Sequence, residues 1–458
     1  MNRLLVFLTL LSLTVVSTQA RQADQVMRHI SDYQVDANEL IDAALADSAA
    51  WNRLAYLTDT FGPRFSGSEN LELALDWVLE EMKKDGLENV RSEPVKVPHW
   101  VRGEERLTIL APHKRELQIL GLGGSVGTGP NGVQGEVFVV NSYDDLEANK
   151  EMAKGKIVLW NVPFTSYGAT VSYRGNGAVR AAQVGAIASL VRSVTPASMY
   201  TPHTGNSNYS EDVPKIPHAA VTVEDALMMQ RMQDRGQHIE VHLFMDDFWL
   251  PDADSRNVMG EIVGSEFPDE VIVLGGHIDS WDVGTGAMDD AGGCVAAWEA
   301  LRLMKVLGLT PKRTVRVVMW TNEENGMRGG NAYRDAHINE LDDHVLAMES
   351  DGGVFAPIGF GFSGSDEAFD VITQIGKLLN RIDSGKITRG GGGADIGPIM
   401  REGVPGMGLN VDGSKYFWYH HTNADYVDKL DPVDVSKSVA TMAVMAYLVA
   451  DLDQKLPR

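Results

Sequence analysis

Three apolar runs of strand length lie in the second half of the chain, at 271–274, 315–320 and 345–348. Helix-like segments at 292–308 and 327–336 separate them. Parallel neighbours in a sheet need a crossover of a dozen or more residues, usually a helix. Strands covered on both faces read as near-continuous apolar runs. The rhythm predicts an α/β domain around a mainly parallel, buried central sheet. Ligands of such sheets bind just beyond the carboxyl ends of the strands. The first run is followed by Gly275-Gly276-His277-Ile278-Asp279-Ser280, the second by Thr321-Asn322-Glu323-Glu324-Asn325, and the third by Glu349-Ser350-Asp351. Two more polar groups complete the set: Met288-Asp289-Asp290-Ala291-Gly292-Gly293, at the entry to a helix, and Tyr419-His420-His421-Thr422-Asn423-Ala424-Asp425, after an aromatic loop.

Taken singly, each group has an ordinary explanation. Asp289-Asp290 suits a helix N-cap, Glu323-Glu324 a solvated turn, and a lone histidine a satisfied core residue. Taken together they do not, because carboxylates and imidazoles gathered beyond apolar strands desolvate and repel one another unless a cation intervenes. The expectation is a metal site. Imidazole plus carboxylate donors, with the one cysteine (Cys294) inside a helix, suit zinc or another late first-row ion. Two ions about 3.5–4 Å apart polarise a carbonyl and activate water for hydrolysis. Asp289, on a rigid loop, suits a bridging position. One of Glu323 and Glu324 can ligate while the other stays free as a general base. Asp279, two residues past His277 on an extended segment, is expected to accept the other imidazole N–H.

The rest of the chain frames this core. Its 458 residues are too many for one small core and indicate two domains or a domain with an insertion. Residues 36–84 read as helical, broken by the loop Phe61-Gly62-Pro63-Arg64-Phe65-Ser66-Gly67-Ser68. From 115 to about 248 glycine is dense and short β-type runs appear at 137–140 and 157–160. A helix at 178–184 is expected to feed a strand at 186–191. The organisation expected is a signal peptide at 1–20, a first catalytic part at 21–114 (with 21–35 either a removable propeptide or a loosely packed extension), an inserted α/β unit at 115–248, and a second catalytic part at 249–458. Arg3, the 13-residue, largely apolar run 4–16 and a small-residue site ending at Ala20 make the signal. Export follows, to the periplasm or to the extracellular or lysosomal space, with no stable membrane insertion once the signal is removed. Asn208-Tyr209-Ser210 is a glycosylation sequon. With 40 Lys and Arg against 63 Asp and Glu, the net charge of −23 argues against nucleic acid as a partner.

The motifs His277-Ile278-Asp279-Ser280-Trp281-Asp282, Gly286-Ala287-Met288-Asp289-Asp290, Asn322-Glu323-Glu324, Glu349-Ser350-Asp351 and His421-Thr422-Asn423-Ala424-Asp425 resemble the binuclear-zinc exopeptidases. That family includes bacterial zinc aminopeptidases and glutamate carboxypeptidase. The likeness extends to Asp59-Thr60-Phe61-Gly62-Pro63-Arg64, Tyr200-Thr201-Pro202-His203-Thr204-Gly205 and Pro311-Lys312-Arg313-Thr314, and so covers nearly all of the chain beyond the signal. It implies a phosphorylase/hydrolase-like catalytic domain, interrupted by a protease-associated insertion lying over the cleft. It implies two zinc ions per chain, one held by His277 and Asp351, the other by Glu324 and His421, with Asp289 bridging. Glu323 is then the general base and Asp279 orients His277. The Asp289–Asp290 peptide is expected to be cis, as in relatives. The activity implied is hydrolysis of short peptides with free termini by an exopeptidase or dipeptidase that forms homodimers. Receptor-like relatives have lost metal ligands, whereas all five and Glu323 are present here. Some relatives carry a tyrosine just before the final ligand to bond the oxyanion. This chain has His420 there, which either takes over that role or is structural. Asp395, after Gly390-Gly391-Gly392-Gly393-Ala394, either meets the substrate amine or caps its own loop.

Overall fold

A computed structural model describes residues 30–458. The signal segment and the first residues of the expected extension lie outside them. Two eight-stranded sheets organise the chain. In the first, the strands run in the order Glu88–Val101, Phe248–Ile262, Arg313–Trp320, Phe267–His277, His344–Glu349, Gly406–Val411, Pro357–Ser363 and Lys386–Arg389. The three apolar runs and Gly406–Val411 form its parallel centre. The two long strands at one edge pair antiparallel, and Pro357–Ser363 runs antiparallel to Gly406–Val411. The sheet is therefore mixed, and the expectation of a mainly parallel one holds only for its core. The long hairpin-like arm was not visible locally, because Glu88–Val101 finds its partner some 150 residues later.

Alternation along the strands divides the interior into two layers. Ile272, Leu274, Val315, Val317, Met319, Leu346 and Met348 pack under the helices Gly292–Leu307 and Pro432–Asp451 on one face. Val273, Val318, Trp320 and Ala347 meet Tyr333 of the helix Arg328–His337 on the other. The helix Pro432–Asp451 is apolar and long enough to cross a membrane, but 83% of its most apolar window is buried inside the protein, so it serves as a core helix.

The second sheet has the order Arg115–Leu117, Glu105–Ala111, Glu240–Met245, Val133–Val140, Ile157–Trp160, Ala188–Arg192, His218–Val221 and Ile119–Gly121. It carries its own cores on both faces. Its first strand, Glu105–Ala111, lies ten residues before the expected boundary at 115, because it pairs with Glu240–Met245 across the whole unit. Its helix Tyr167–Gln183 is also longer than the expected 178–184. Three glycines (Gly168, Gly175 and Gly177) and the β-branched Thr170 and Val171 hide its first part from a propensity reading. The Ser166 hydroxyl caps it by accepting from the Ala169 N–H.

The chain crosses between the sheets twice, near Arg102-Gly103 and near Asp247. Arg102 joins them, donating from Nε and Nη2 to the Asp282 carboxylate at 2.8 and 2.9 Å and from Nη1 to Glu105 at 2.9 Å. Gly123 allows the second unit to approach closely, since a Cβ there would stand 2.1 Å from the Trp281 ring. At the crossing the Gly103 N–H donates to Asp247 at 3.0 Å. Burial and the neighbouring Glu105 carboxylate push Asp247 up to about 7. A carboxyl whose folded pKa lies above its unfolded value stabilises the fold fully below the unfolded pKa, and that contribution is lost as pH rises through the folded pKa. Asp247→Asn keeps the acceptor for Gly103 and gives Glu105 a neutral donor. Thermal midpoints measured from about pH 5 to about pH 8.5 should show the variant gaining on the wild type as pH rises; parallel curves would contradict the assignment.

Candidate metal centre

The carboxyl ends of the parallel strands and two loops converge on one buried cluster. Phe267–His277 ends in His277, Arg313–Trp320 leads into Glu323 and Glu324, and His344–Glu349 leads into Asp351. Asp289 projects from the loop before the helix Gly292–Leu307, and its peptide to Asp290 is cis. His421 follows the short helix Tyr416–Tyr419. His277 Nε2 lies 3.2 Å from Asp289 Oδ1 and 3.4 Å from Asp351 Oδ1. His421 Nε2 lies 3.0 Å from Glu324 Oε2 and 3.4 Å from Asp289 Oδ2. Asp289 thus turns one oxygen to each imidazole.

The electrostatics of the cluster call for positive charge. Burial opposes charging His421, yet Glu324 and Asp289 draw it up to about 9, and Asp289 and Asp351 raise His277 against its own burial. Burial and the adjacent carboxylates raise Glu323, Glu324 and Asp351. Glu324 Oε1 is buried with no hydrogen-bond partner. His277, Asp289 and Glu324 each offer a donor atom within 4.8 Å of the others. The same holds for Asp289, His420 and His421, and for His277, Asp290 and Asp351. Nitrogen and oxygen donors at this density fit divalent metal ions of the zinc type.

Backbone amides hold the cluster in shape. The Asp279 carboxylate was expected to accept from His277 but stands 3.8 Å from its Nδ1. The imidazole N–H goes instead to the Asp279 backbone carbonyl at 2.9 Å, and the carboxylate accepts the N–H groups of Glu323 and Glu324 at 3.0 and 3.4 Å. Asp279 therefore places both the His277 ring and the glutamate pair. Asp425 accepts from the amides of Met288 and Asp289 at 2.8 and 3.2 Å, and Asp290 accepts from those of His277 and Gly293. Arg64, wholly buried, donates to the carbonyls of Gly62, Ile278, Thr285 and Gly286 and so clamps the Asp289 loop.

The second unit completes the other wall. The Thr204 N–H donates to the His421 carbonyl at 2.9 Å, and the Thr204 carbonyl lies 3.3 Å from His421 Nδ1, which fixes that ring's tautomer. His421 sits at φ 59°, a conformation a non-glycine residue keeps only when held. His420 faces the cluster with Nε2 3.7 Å from Asp289 Oδ2. Burial and neighbouring His421 hold it well below its ordinary pKa and hence neutral. Asp395 is 1% exposed, has no partner for either oxygen, and does not line the cleft.

The cleft has a volume of about 400 Å³. Tyr416, Tyr167 and Arg174, which sequence reasoning passed over, line it. Tyr416 places its hydroxyl 3.5 Å from Asp289 Oδ2. Its position in the aromatic run before His420-His421 was the available signal. Tyr167 and Arg174 gave none, since only the tertiary fold brings their helix to the site.

The model of Peptidase family M28 matches residues 257–446. Carboxypeptidase Q of Xenopus laevis is 49% identical over 441 residues, covering 96% of this chain and 94% of the relative. The chain belongs to peptidase family M28. Carboxypeptidase Q of Homo sapiens is 45% identical and covers 96% of this chain and 93% of its own. A solved peptidase M28 precursor from Shewanella amazonensis SB2B superposes with a TM-score of 0.89 at 33% identity, covering 94% of this chain and 99% of that one. The zinc aminopeptidase BSAP of Bacillus subtilis shares the fold, with a TM-score of 0.67 at 18% identity over 89% of this chain and 98% of its own. This M28 protein is a metallopeptidase, and its buried imidazole–carboxylate cluster is the part that fits metal.

Arg64→Met removes the donor from four carbonyls that have been placed around it. Leaving buried acceptors unpaired should cost roughly 3–5 kcal/mol. Urea denaturation with metal present measures this; a loss below about 1 kcal/mol would remove Arg64 as the clamp.

Proposed function

We propose that this M28 metallopeptidase is an exported zinc dipeptidase that hydrolyses short peptides with free termini. The observation that carries the reading is Asp289, which presents one oxygen toward His277 and the other toward His421, with Glu323 left free beside them. In this reading His277 and Asp351 would hold one zinc ion and Glu324 and His421 the second, with Asp289 placed to serve both. When bound, such a pair polarises a carbonyl and makes a water acidic enough to attack near neutral pH. Glu323 takes the proton from the attacking water and delivers it to the leaving amine. Its raised pKa, set by burial and by Asp351 and Glu324, suits a group that must both accept and release a proton. Asp279 keeps Glu323 and Glu324 at different tasks by gripping both amides. His420 and the Tyr416 hydroxyl are the neutral donors available to a developing oxyanion. The likeness to carboxypeptidase Q over almost the whole chain supports a peptide substrate, and a protease-associated second unit and a homodimer are part of the same reading. The signal-type segment at the N-terminus supports export.

Metal analysis and a dipeptide panel test the reading. About two zinc ions per chain, activity lost on chelation and regained on zinc addition, and a thermal midpoint lowered by chelation are expected. Glu323→Gln should keep its zinc and lose about 10²–10⁴ in turnover. Wild-type turnover in that variant would remove Glu323 as the base. Asp289→Ala should fall to one zinc ion or fewer, and two tightly held ions would refute the bridge.

A further inference from the structure

Among the described residues, Arg174 is the one lysine or arginine that lines the cleft beside the metal cluster, where Asp289, Glu323, Glu324 and Asp351 supply the opposing charge. It reaches the cleft from the helix Tyr167–Gln183 of the second sheet and is 6% exposed. Apart from a 3.4 Å contact with the His421 imidazole, its hydrogen bonds go to neutral oxygens. Nη2 donates to the Tyr167 hydroxyl at 2.7 Å and Nη1 to the Thr204 carbonyl at 3.3 Å, while Nε has no partner. Among the described residues no carboxylate stands within 4.0 Å of the guanidinium. The other buried arginines differ: Arg313 is paired with Glu270, Arg316 with Glu261, and Arg64 with four carbonyls. A buried cation satisfied this poorly keeps a desolvation cost that an incoming anion would offset. A planar guanidinium matches a carboxylate in two-pronged geometry.

The position narrows the anion. Nη1 of Arg174 lies 3.4 Å from Nδ1 of His421, and the opposite nitrogen of that ring faces Asp289 and Glu324. The His421 ring and that 3.4 Å gap therefore separate the guanidinium from the cluster. A dipeptide's carboxylate stands one residue, about 3.8 Å, beyond its scissile carbonyl. A longer peptide's carboxylate stands further off. The volume of about 400 Å³ is at the small end for a ligand site. The ammonium end of the substrate is repelled by Arg174 and drawn to the carboxylates opposite, which sets the direction of binding.

We propose that Arg174, steadied by Tyr167, binds the free C-terminal carboxylate of the substrate and so selects dipeptides over longer or C-terminally blocked peptides. The proposal rests on the peptide-hydrolysing reading of the cluster. The test compares a dipeptide, its C-terminal amide and the corresponding tripeptide on the zinc-loaded enzyme, with Arg174→Gln, Arg174→Lys and Tyr167→Phe, each checked for zinc content and thermal midpoint. Wild type should favour the free acid over the amide by at least about tenfold in kcat/KM. In Arg174→Gln the KM for the free acid should rise by about ten- to hundredfold and the acid-to-amide ratio should collapse toward one. Arg174→Lys should recover part of the ratio, since an ammonium keeps the charge but not the fork. Tyr167→Phe should lower the ratio less than Arg174→Gln. Equal use of acid and amide by the wild type would overturn the proposal. So would an equal loss on both substrates in Arg174→Gln, above all with reduced zinc, because Arg174 would then act by holding Thr204 and His421. A zinc-loaded wild type inert toward every peptide would instead sink the hydrolase reading on which the proposal stands.

Discussion

Negative charge buried at the end of a parallel sheet is the constraint on which this structure turns. Eight carboxylates crowd the ends of three strands: Asp279, Asp289, Asp290, Glu323, Glu324, Glu349, Asp351 and Asp425. The fold treats them in two ways. Asp279, Asp290, Asp425 and Glu349 each accept two backbone N–H groups: Asp279 those of Glu323 and Glu324, Asp425 those of Met288 and Asp289, Asp290 those of His277 and Gly293, and Glu349 those of Ala394 and Ile396. Among the described residues no backbone N–H reaches the carboxylates of Asp289, Glu323, Glu324 and Asp351, and Asp289, Glu324 and Asp351 face imidazoles instead. The first set uses its charge to shape loops. The second is left short of positive charge at one point in space, which is the condition for metal binding rather than for stability.

The second unit is part of the same electrostatic arrangement. His421 emerges from the first sheet's domain but is held by Thr204 of the second, through one donor and one acceptor on adjacent backbones. Next to this pair, His203 Nδ1 lies 2.8 Å from the His420 carbonyl, and Thr195 donates to the Phe417 carbonyl. The loop carrying two facing histidines is thus pinned along its length by another domain. The Arg102–Asp282 and Gly123–Trp281 contacts fix the two units at their junction. These contacts couple the cluster and the cleft wall to interdomain geometry.

Much of the site was legible because its donors sit next to the strands that carry them. His277, Glu323, Glu324 and Asp351 follow apolar runs that must be buried, and burial turns an ordinary acidic residue into an informative one. The helix starting at Gly292 agrees with the same local reading, and the cis peptide after Asp289 agrees with the family resemblance. What escaped depends on partners far along the chain. The strand Glu105–Ala111 was assigned to the wrong unit because its partner lies about 135 residues away. Thr204 meets His421 across 217 residues, and Arg174 reaches the cleft on a helix whose amphipathic pattern is weak. The Asp279 carboxylate was misread for a subtler reason. Alternation along an extended segment gives the side on which a side chain lies, but not whether the backbone carbonyl reaches the imidazole first.

Asp395 extends the division of carboxylates to a third kind. It is buried behind Glu349 and Glu323, accepts nothing, and is pushed well above the ordinary carboxyl range by burial and by those two neighbours. A substrate amine has no route to it from the cleft lining, and it caps no loop, so neither use expected of it from its glycine-rich surroundings matches its place. The glycines answer to Glu349 instead: a Cβ at Gly393 would stand 2.1 Å from the Glu349 carboxyl carbon, and the amides of Ala394 and Ile396 close on the same carboxylate. Their lack of side chains is what lets the loop wrap an acid two residues from Asp351. A neutral Asp395 behind that wrap adds no further negative charge to a cluster that already has more than its backbone amides can balance.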